Sequence, residues 1–251
     1  IQGITRNPLA DPGILGVTSG ASVTAVAAIV WYDVSSSFLP YTTFVGALVM
    51  TFLVYIFAWK GGTSSIRFVL VGIGLSAIAN SIMTTMLVFG DIREVQQAYF
   101  WLAGSVSTRG WHHVRTIAVW LVVLLPLTLL SARQLNTLGL GDDVAKGLGV
   151  NVELQRVWLM FLSATLAAIA VAVAGTVGFI GLVVPHMSRR LVGPAYEGVL
   201  IISAILGAVL AILSDLIARA VLAPSELPLG IVTAIIGAPY FLYLLYRGGQ
   251  R

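Results

Sequence analysis

Eight apolar segments, roughly 13–31, 42–59, 67–89, 114–132, 156–174, 176–192, 198–218 and 229–246, are separated by shorter stretches that carry nearly all of the charge. This pattern constrains the fold more than any other feature. A bilayer core about 30 Å thick needs about 20 apolar residues of helix to cross it, and most of the eight meet that length. Of the 251 residues 58% are hydrophobic and 10% charged, against about 25% charged in an ordinary soluble domain. Lipid rather than water must therefore surround most of the surface. Backbone groups in hydrocarbon have to be satisfied within each segment, so the expected fold is all-α, a polytopic transmembrane helical bundle of about eight spans. The sixth segment is the weakest, because Pro185, His186, Arg189 and Arg190 crowd its end.

The charges act as topology signals. Arg6, Lys60, Arg67, Arg133, Lys146, Arg156, Arg189, Arg190, Arg247 and Arg251 lie on one set of loops, and Arg93, Arg109, Arg115 and Arg219 on the other, which accounts for all 14 basic residues. The positive-inside rule places the richer set in the cytoplasm, with both ends of the chain there too. The net charge of +4 is scattered and forms no nucleic-acid patch. Zero cysteines remove disulfides and thiolate chemistry. The opening Ile1-Gln2-Gly3-Ile4-Thr5-Arg6 has neither an initiator Met nor a signal-peptide pattern. It reads as the tail of an earlier helix, and the chain is expected to be a fragment lacking its N-terminal part. On the outer side, the stretch from Gly90 to His113 mixes charged residues with Tyr99, Phe100 and Trp101, which fits an amphipathic helix lying at headgroup level but reads first as an ordered interfacial loop.

Functional residues are expected first in the cytoplasmic stretch 133–156. Its centre runs Leu140-Gly141-Asp142-Asp143-Val144-Ala145-Lys146-Gly147-Leu148-Gly149. Asp142 or Asp143 can cap a helix N-terminus, and Gly147 and Gly149 can end one. The expectation is a short helix presenting Val144, Ala145 and Leu148. Such a ridge suits insertion into a partner's groove and equally suits a connector lying on the membrane. Gly175, Gly178 and Gly181 recur every three residues, a spacing that on a helix makes one close-approach face. Pro185 and Pro239 lack an N–H and should bend or end their helices. His186 beside two arginines and the adjacent pair His112-His113 have poor chelating geometry, so no metal site is expected. Asp215 and Arg219 are four apart and can pair on one helix face.

Four stretches resemble one family. They are Asn7-Pro8-Leu9-Ala10-Asp11-Pro12-Gly13-Ile14-Leu15-Gly16, the 140–149 loop, Ala174-Gly175-Thr176-Val177-Gly178-Phe179-Ile180-Gly181-Leu182-Val183-Val184-Pro185-His186, and Glu226-Leu227-Pro228-Leu229-Gly230-Ile231-Val232-Thr233 with Gly237-Ala238-Pro239. All are similar to motifs of the FecCD/BtuC-like permease subunits of bacterial ABC importers for iron-siderophores, haem or cobalamin. The resemblance implies a ten-span family fold with its first two helices absent, so that 1–251 is a single permease domain. It also implies that loop 133–156 couples to an ATP-binding-cassette ATPase subunit, that Arg219 docks a substrate-binding protein, and that a second permease copy or paralogue completes the pathway in the bacterial inner membrane. The cargo it implies is a ferric siderophore first, with cobalamin or haem as alternatives.

No enzyme activity is expected in this subunit and no cofactor. The chain lacks a Gly-x-x-x-x-Gly-Lys-[Ser/Thr] phosphate loop, so ATP and Mg would belong to the partner ATPase. An ion-coupled secondary transporter is the competing class, but such proteins place ionisable residues at mid-membrane, and here nearly every charge lies at a segment end.

Overall fold

The computed structural model describes residues 1–35, 37–60, 65–107, 109–221 and 226–248. Among them there are twelve α-helices and no strands. A short α1 (Gln2–Thr5) leads through a 3₁₀ turn (Pro12–Leu15) into α2 (Val17–Val26), which continues as a π turn, Ala27–Trp31. Then come α3 (Leu39–Ala58), α4 (Ser65–Phe89), α5 (Ile92–Leu102) and α6 (Trp111–Leu130). The remainder is α7 (Ala132–Gly139), α8 (Asp142–Gly147), α9 (Val152–Ala174), α10 (Ile180–Val192), α11 (Tyr196–Val221) and α12 (Leu229–Gly248).

Each of the eight apolar segments is helical. Among the described residues five helices are long and apolar enough to cross a membrane, namely Leu39–Ala58, Ile66–Phe89, Trp111–Leu130, Val152–Ala174 and Tyr196–Val221; Val17–Trp31 and Leu229–Tyr243 are shorter apolar helices. The weak sixth segment forms only the 13 residues of α10, because its first residues are spent on a turn. α9 ends at Gly175, whose backbone is left-handed (φ 72°), and helix resumes only after Phe179 at φ 66°. The expectation that Gly175, Gly178 and Gly181 share one helix face is therefore wrong. A threefold spacing makes a face only if the helix runs through it, and here it does not. Gly175 is needed for a different reason: a Cβ there would lie 2.3 Å from the carbonyl oxygen of Trp101, whereas Gly178 has open space around it.

α9 is the central and most buried spanning helix, and α6 and α11 are the least buried. α2 and α3 pack on each other through small residues. A Cβ at Gly20 would sit 2.4 Å from the Gly46 carbonyl oxygen, so backbone rests on backbone, the contact that lets helices associate when lipid competes for every apolar surface. Ala21, Ala25, Ala47, Ala164 and Ala168 fill the same seam. The peripheral helices turn Val122, Ile212 and Leu216 outward, as a lipid-facing surface requires.

Among the described residues the two sets of charged loops lie at opposite ends of the bundle; Arg251 lies outside the described residues. At one end Arg6, Asp142 and Arg156 meet, and Asn136 donates to Glu197 at 2.7 Å. At the other, Ser105 N–H donates to the Ala174 carbonyl at 2.7 Å, Gly230 N–H donates to the Gly104 carbonyl at 3.3 Å, and the Ser107 hydroxyl donates to Glu226. α5 lies at this second end, begun by Asp91, whose carboxylate accepts from the Arg93 N–H at 3.0 Å.

Proline effects are handled locally. Pro185 lies inside α10 and cannot donate to the carbonyl of Gly181, four residues back. The Gln2 side-chain amide donates to that oxygen instead, at 3.3 Å. Pro239 lies inside α12, which runs on to Gly248, so neither proline ends its helix.

Candidate functional site

The α7–α8 end of the molecule is where most of the singled-out residues meet. α7 is amphipathic, burying Ala132, Leu135 and Leu138, and its Asn136 accepts from the Tyr196 N–H at 3.0 Å, tying it to the start of α11. α8 follows after Gly141, whose backbone (φ 116°, ψ 152°) is accessible only to glycine. Gly141 is itself the N-cap, and neither Asp142 nor Asp143 caps with its side chain; both sit in the first turn. There they face the positive end of the helix dipole, with Lys146 in the last turn at the negative end. The helix stops at Leu148, and Gly149 (φ 80°) turns the chain towards α9, with Gly147 still helical.

Val144 within this six-residue stub and Leu148 at its end are 51% and 64% exposed, and Leu140, just before Gly141, is 64% exposed. Val144 and Leu148, four apart, lie on one side of the stub, whereas Leu140 lies outside the helix, beyond Gly141. Ala145 was expected on that ridge, but it is fully buried and belongs to the main core. Val144 and Leu148 are exposed as expected, and Ala145 between them faces the core instead.

Asp142 is used differently from the cap role expected of it. The Arg156 Nη2 donates to both of its carboxylate oxygens, at 3.0 and 3.1 Å, and Arg6 Nη2 donates to the same carboxylate. Arg156 is 3% exposed, while Arg6 and Asp142 are partly open to solvent. Burial pushes the Asp142 carboxyl up, but the two guanidiniums outweigh it, and its pKa lies below the ordinary 3.8. Arg6 and Arg156 entered the sequence reading only as topology charges. Their membership of the same loop set was the one available hint.

A second feature went unread in the sequence. On α4, Gly74, Ala77, Asn80, Ser81, Thr84 and Thr85 form one exposed face. The hydroxyls of Ser81, Thr84 and Thr85 donate back to carbonyls four residues earlier, at 2.8–2.9 Å, which lowers their cost in lipid. The Asn80 amide, with two donors and an acceptor, is far costlier against hydrocarbon, and this face suits a polar pathway better than a lipid contact.

At the other end, Arg219 Nε donates to Asp215 at 2.8 Å with about half of the arginine side chain exposed. Among the described residues no group of three or more His, Asp or Glu side chains could hold a metal.

Residues 1–247 match the FecCD transport family. The chain is similar to the iron(3+)-hydroxamate import system permease protein FhuG of Bacillus subtilis (strain 168), with 42% identity over 255 residues, 98% of this chain and 76% of that protein. It is 40% identical over 246 residues to the cobalamin import system permease protein BtuC of Halobacterium salinarum, covering 98% of this chain and 66% of that one. A solved structure described as an inward-facing conformation of a metal-chelate type ABC transporter aligns with a TM-score of 0.88 at 34% identity, covering 98% of this chain and 79% of that chain.

Proposed function

The chain belongs to the FecCD transport family, and from that premise we propose that it is the membrane-spanning permease subunit of an ATP-driven, binding-protein-dependent importer that moves an iron(III)-siderophore chelate by alternating access. The observation that carries this reading is the exposure of Leu140, Val144 and Leu148, three large apolar side chains in a stretch whose remaining residues are polar or glycine apart from the buried Ala145. An exposed apolar stripe on a short rigid helix needs a groove to cover it. In this reading the groove belongs to an ATPase subunit, and residues 140–149 form the coupling element. Both ends of the chain face the cytoplasm with it. ATP and Mg bind in that partner, and this subunit performs no chemistry.

At the outer end, Arg219 reaches a carboxylate on the substrate-binding protein while Asp215 holds it in position. The polar face of α4 lines the route, opposite a second permease copy or paralogue. Motion is transmitted because the partner contacts differ between its nucleotide states; without differential contacts nothing could shift.

Ferric siderophore is the cargo chosen because the relatives include a hydroxamate permease; cobalamin is the second reading, favoured by the Halobacterium relative. Uptake of iron-55 siderophore and of labelled cobalamin by cells expressing the full transporter separates the two. Uptake of the first alone, lost on ATP depletion while the ion gradient is held, is the expected result. Uptake that follows the ion gradient and ignores ATP would contradict the reading.

A further inference from the structure

α8 has six residues, too few to hold a helix by its own hydrogen bonds, and of its side chains only Ala145 reaches the core. Something else must set its direction. The Asp142 carboxylate, at its first turn, is gripped from two places in the membrane domain. Arg156, on the second turn of α9, spans both carboxylate oxygens with one nitrogen. Arg6 reaches it from the segment after α1 and uses its Nε to hold the Leu138 carbonyl near the end of α7 at 3.1 Å. Arg6 does so from a left-handed backbone, φ 51°, a conformation that residues with a Cβ rarely take. A single carboxylate thus joins α7, α8, α9 and the 6–16 segment.

That segment is stiff. The Asn7 side chain accepts from the Leu9 N–H at 2.9 Å, and Asp11 accepts from the Gly13 N–H at 2.7 Å. Its far end rests on α4, where a Cβ at Gly72 would come within 1.8 Å of the Ile14 carbonyl oxygen. Gly72 is on the buried side of α4, and the face bearing Asn80, Ser81 and Thr84 is on the exposed side.

We propose that Asp142, Arg156 and Arg6 form a clamp that makes α8 a rigid extension of α9 and of the 6–16 segment, so that a push on the stub is delivered to the polar face of α4. Arg156 and Arg6 are positioning residues for the coupling stroke. This inference rests on the coupling role proposed above for α8. Charged, multiply bonded pairs fix orientation better than a lone Lys–carboxylate contact would, and the two arms restrain the stub from two directions.

Residues 1–251 contain no cysteine, so an introduced one is the only thiol among them, and the complex without it supplies the background to subtract. In the full transporter complex in proteoliposomes, Thr84→Cys on α4 is labelled with a maleimide, with and without Mg-ATP plus vanadate. The clamp predicts that nucleotide changes the labelling rate about tenfold, within the span of ordinary allosteric couplings. Arg156→Gln and Arg6→Gln should each abolish most of that change while the ATPase stays bound and still hydrolyses ATP. Asp142→Glu, which keeps the carboxylate, should retain more of the response than Asp142→Asn. Arg6 is half-exposed, so its variant decides the matter should the Arg156 variant fail to fold. A full response in the arginine variants would overturn the clamp while leaving the coupling role standing. No response in the unmodified complex, or no ATPase bound to it, would overturn the coupling role and the clamp together.

Discussion

Asp142 shows how much of the site depends on one side chain. Removing it in Asp142→Ala takes two hydrogen bonds from the buried Arg156 and one from Arg6. Breaking a fully buried pair costs about 3–5 kcal/mol; because Asp142 is partly open to solvent, about 1–3 kcal/mol is expected, read as a lower melting temperature in detergent. The pH dependence follows from the depressed pKa. A carboxyl whose pKa is lower folded than unfolded contributes stability that is complete above its unfolded value, 3.8 here, and is lost as pH falls through the folded value. A spin label at Val144→Cys should therefore keep constant mobility from pH 8 down to about 5 and loosen only in stronger acid. The stub itself was legible in the sequence, since Gly141 and Gly149 bracket an acidic turn. Its partners were not, because Arg6 lies 136 residues from Asp142, and no local pattern says which distant charge will arrive. Ala145 was misplaced for a related reason: two helical turns contain too few apolar residues to fix their own phase.

At the level of elements, apolar length located the long helices, and failed where length and backbone geometry conflict. The 176–192 segment satisfied a hydropathy window, yet the Gly175–Phe179 turn takes up its beginning. Spacing in sequence carries no information about sign of φ, so three glycines that looked equivalent are not. Gly175→Ala must adopt a left-handed backbone and push on the Trp101 carbonyl, at a cost of about 1–3 kcal/mol. Gly178→Ala, with open space around it, should be neutral, and Gly147→Ala, inside α8 with nothing near, should be neutral or stabilise by up to about 1 kcal/mol. Thermal melts of the three variants in one detergent check this order. The polar face of α4 was readable in principle, as Asn80, Ser81, Thr84 and Thr85 fall at helical spacing. An average over the whole segment conceals it, because hydropathy sums over all faces.

For the whole molecule, the division of basic residues into two sets of loops is matched, among the described residues, by their collection at opposite ends of the bundle, since connectivity of the helices leaves little choice. Docking at the far end belongs to this scale. Rim charges set association rate and salt dependence more than lifetime, so Arg219→Glu should slow capture of the binding protein about tenfold or more at low salt and leave ATPase assembly intact. Asp215→Asn, which keeps the arginine, should have a much smaller effect; equal association rates for all three forms, by surface interferometry on reconstituted transporter, would remove Arg219 from the interface. At this scale the exposed Leu140, Val144 and Leu148 side chains seat an ATP-hydrolysing partner in the proposed mechanism. The direct measurement is purification of the tagged, full-length protein from native membranes in mild detergent, beside a Val144→Glu, Leu148→Glu double variant, with mass spectrometry of what accompanies each. An ATP-binding subunit is expected with the unmodified protein and is expected to be lost from the variant. Recovery of that subunit in equal amount with both, or with neither, would contradict that mechanism.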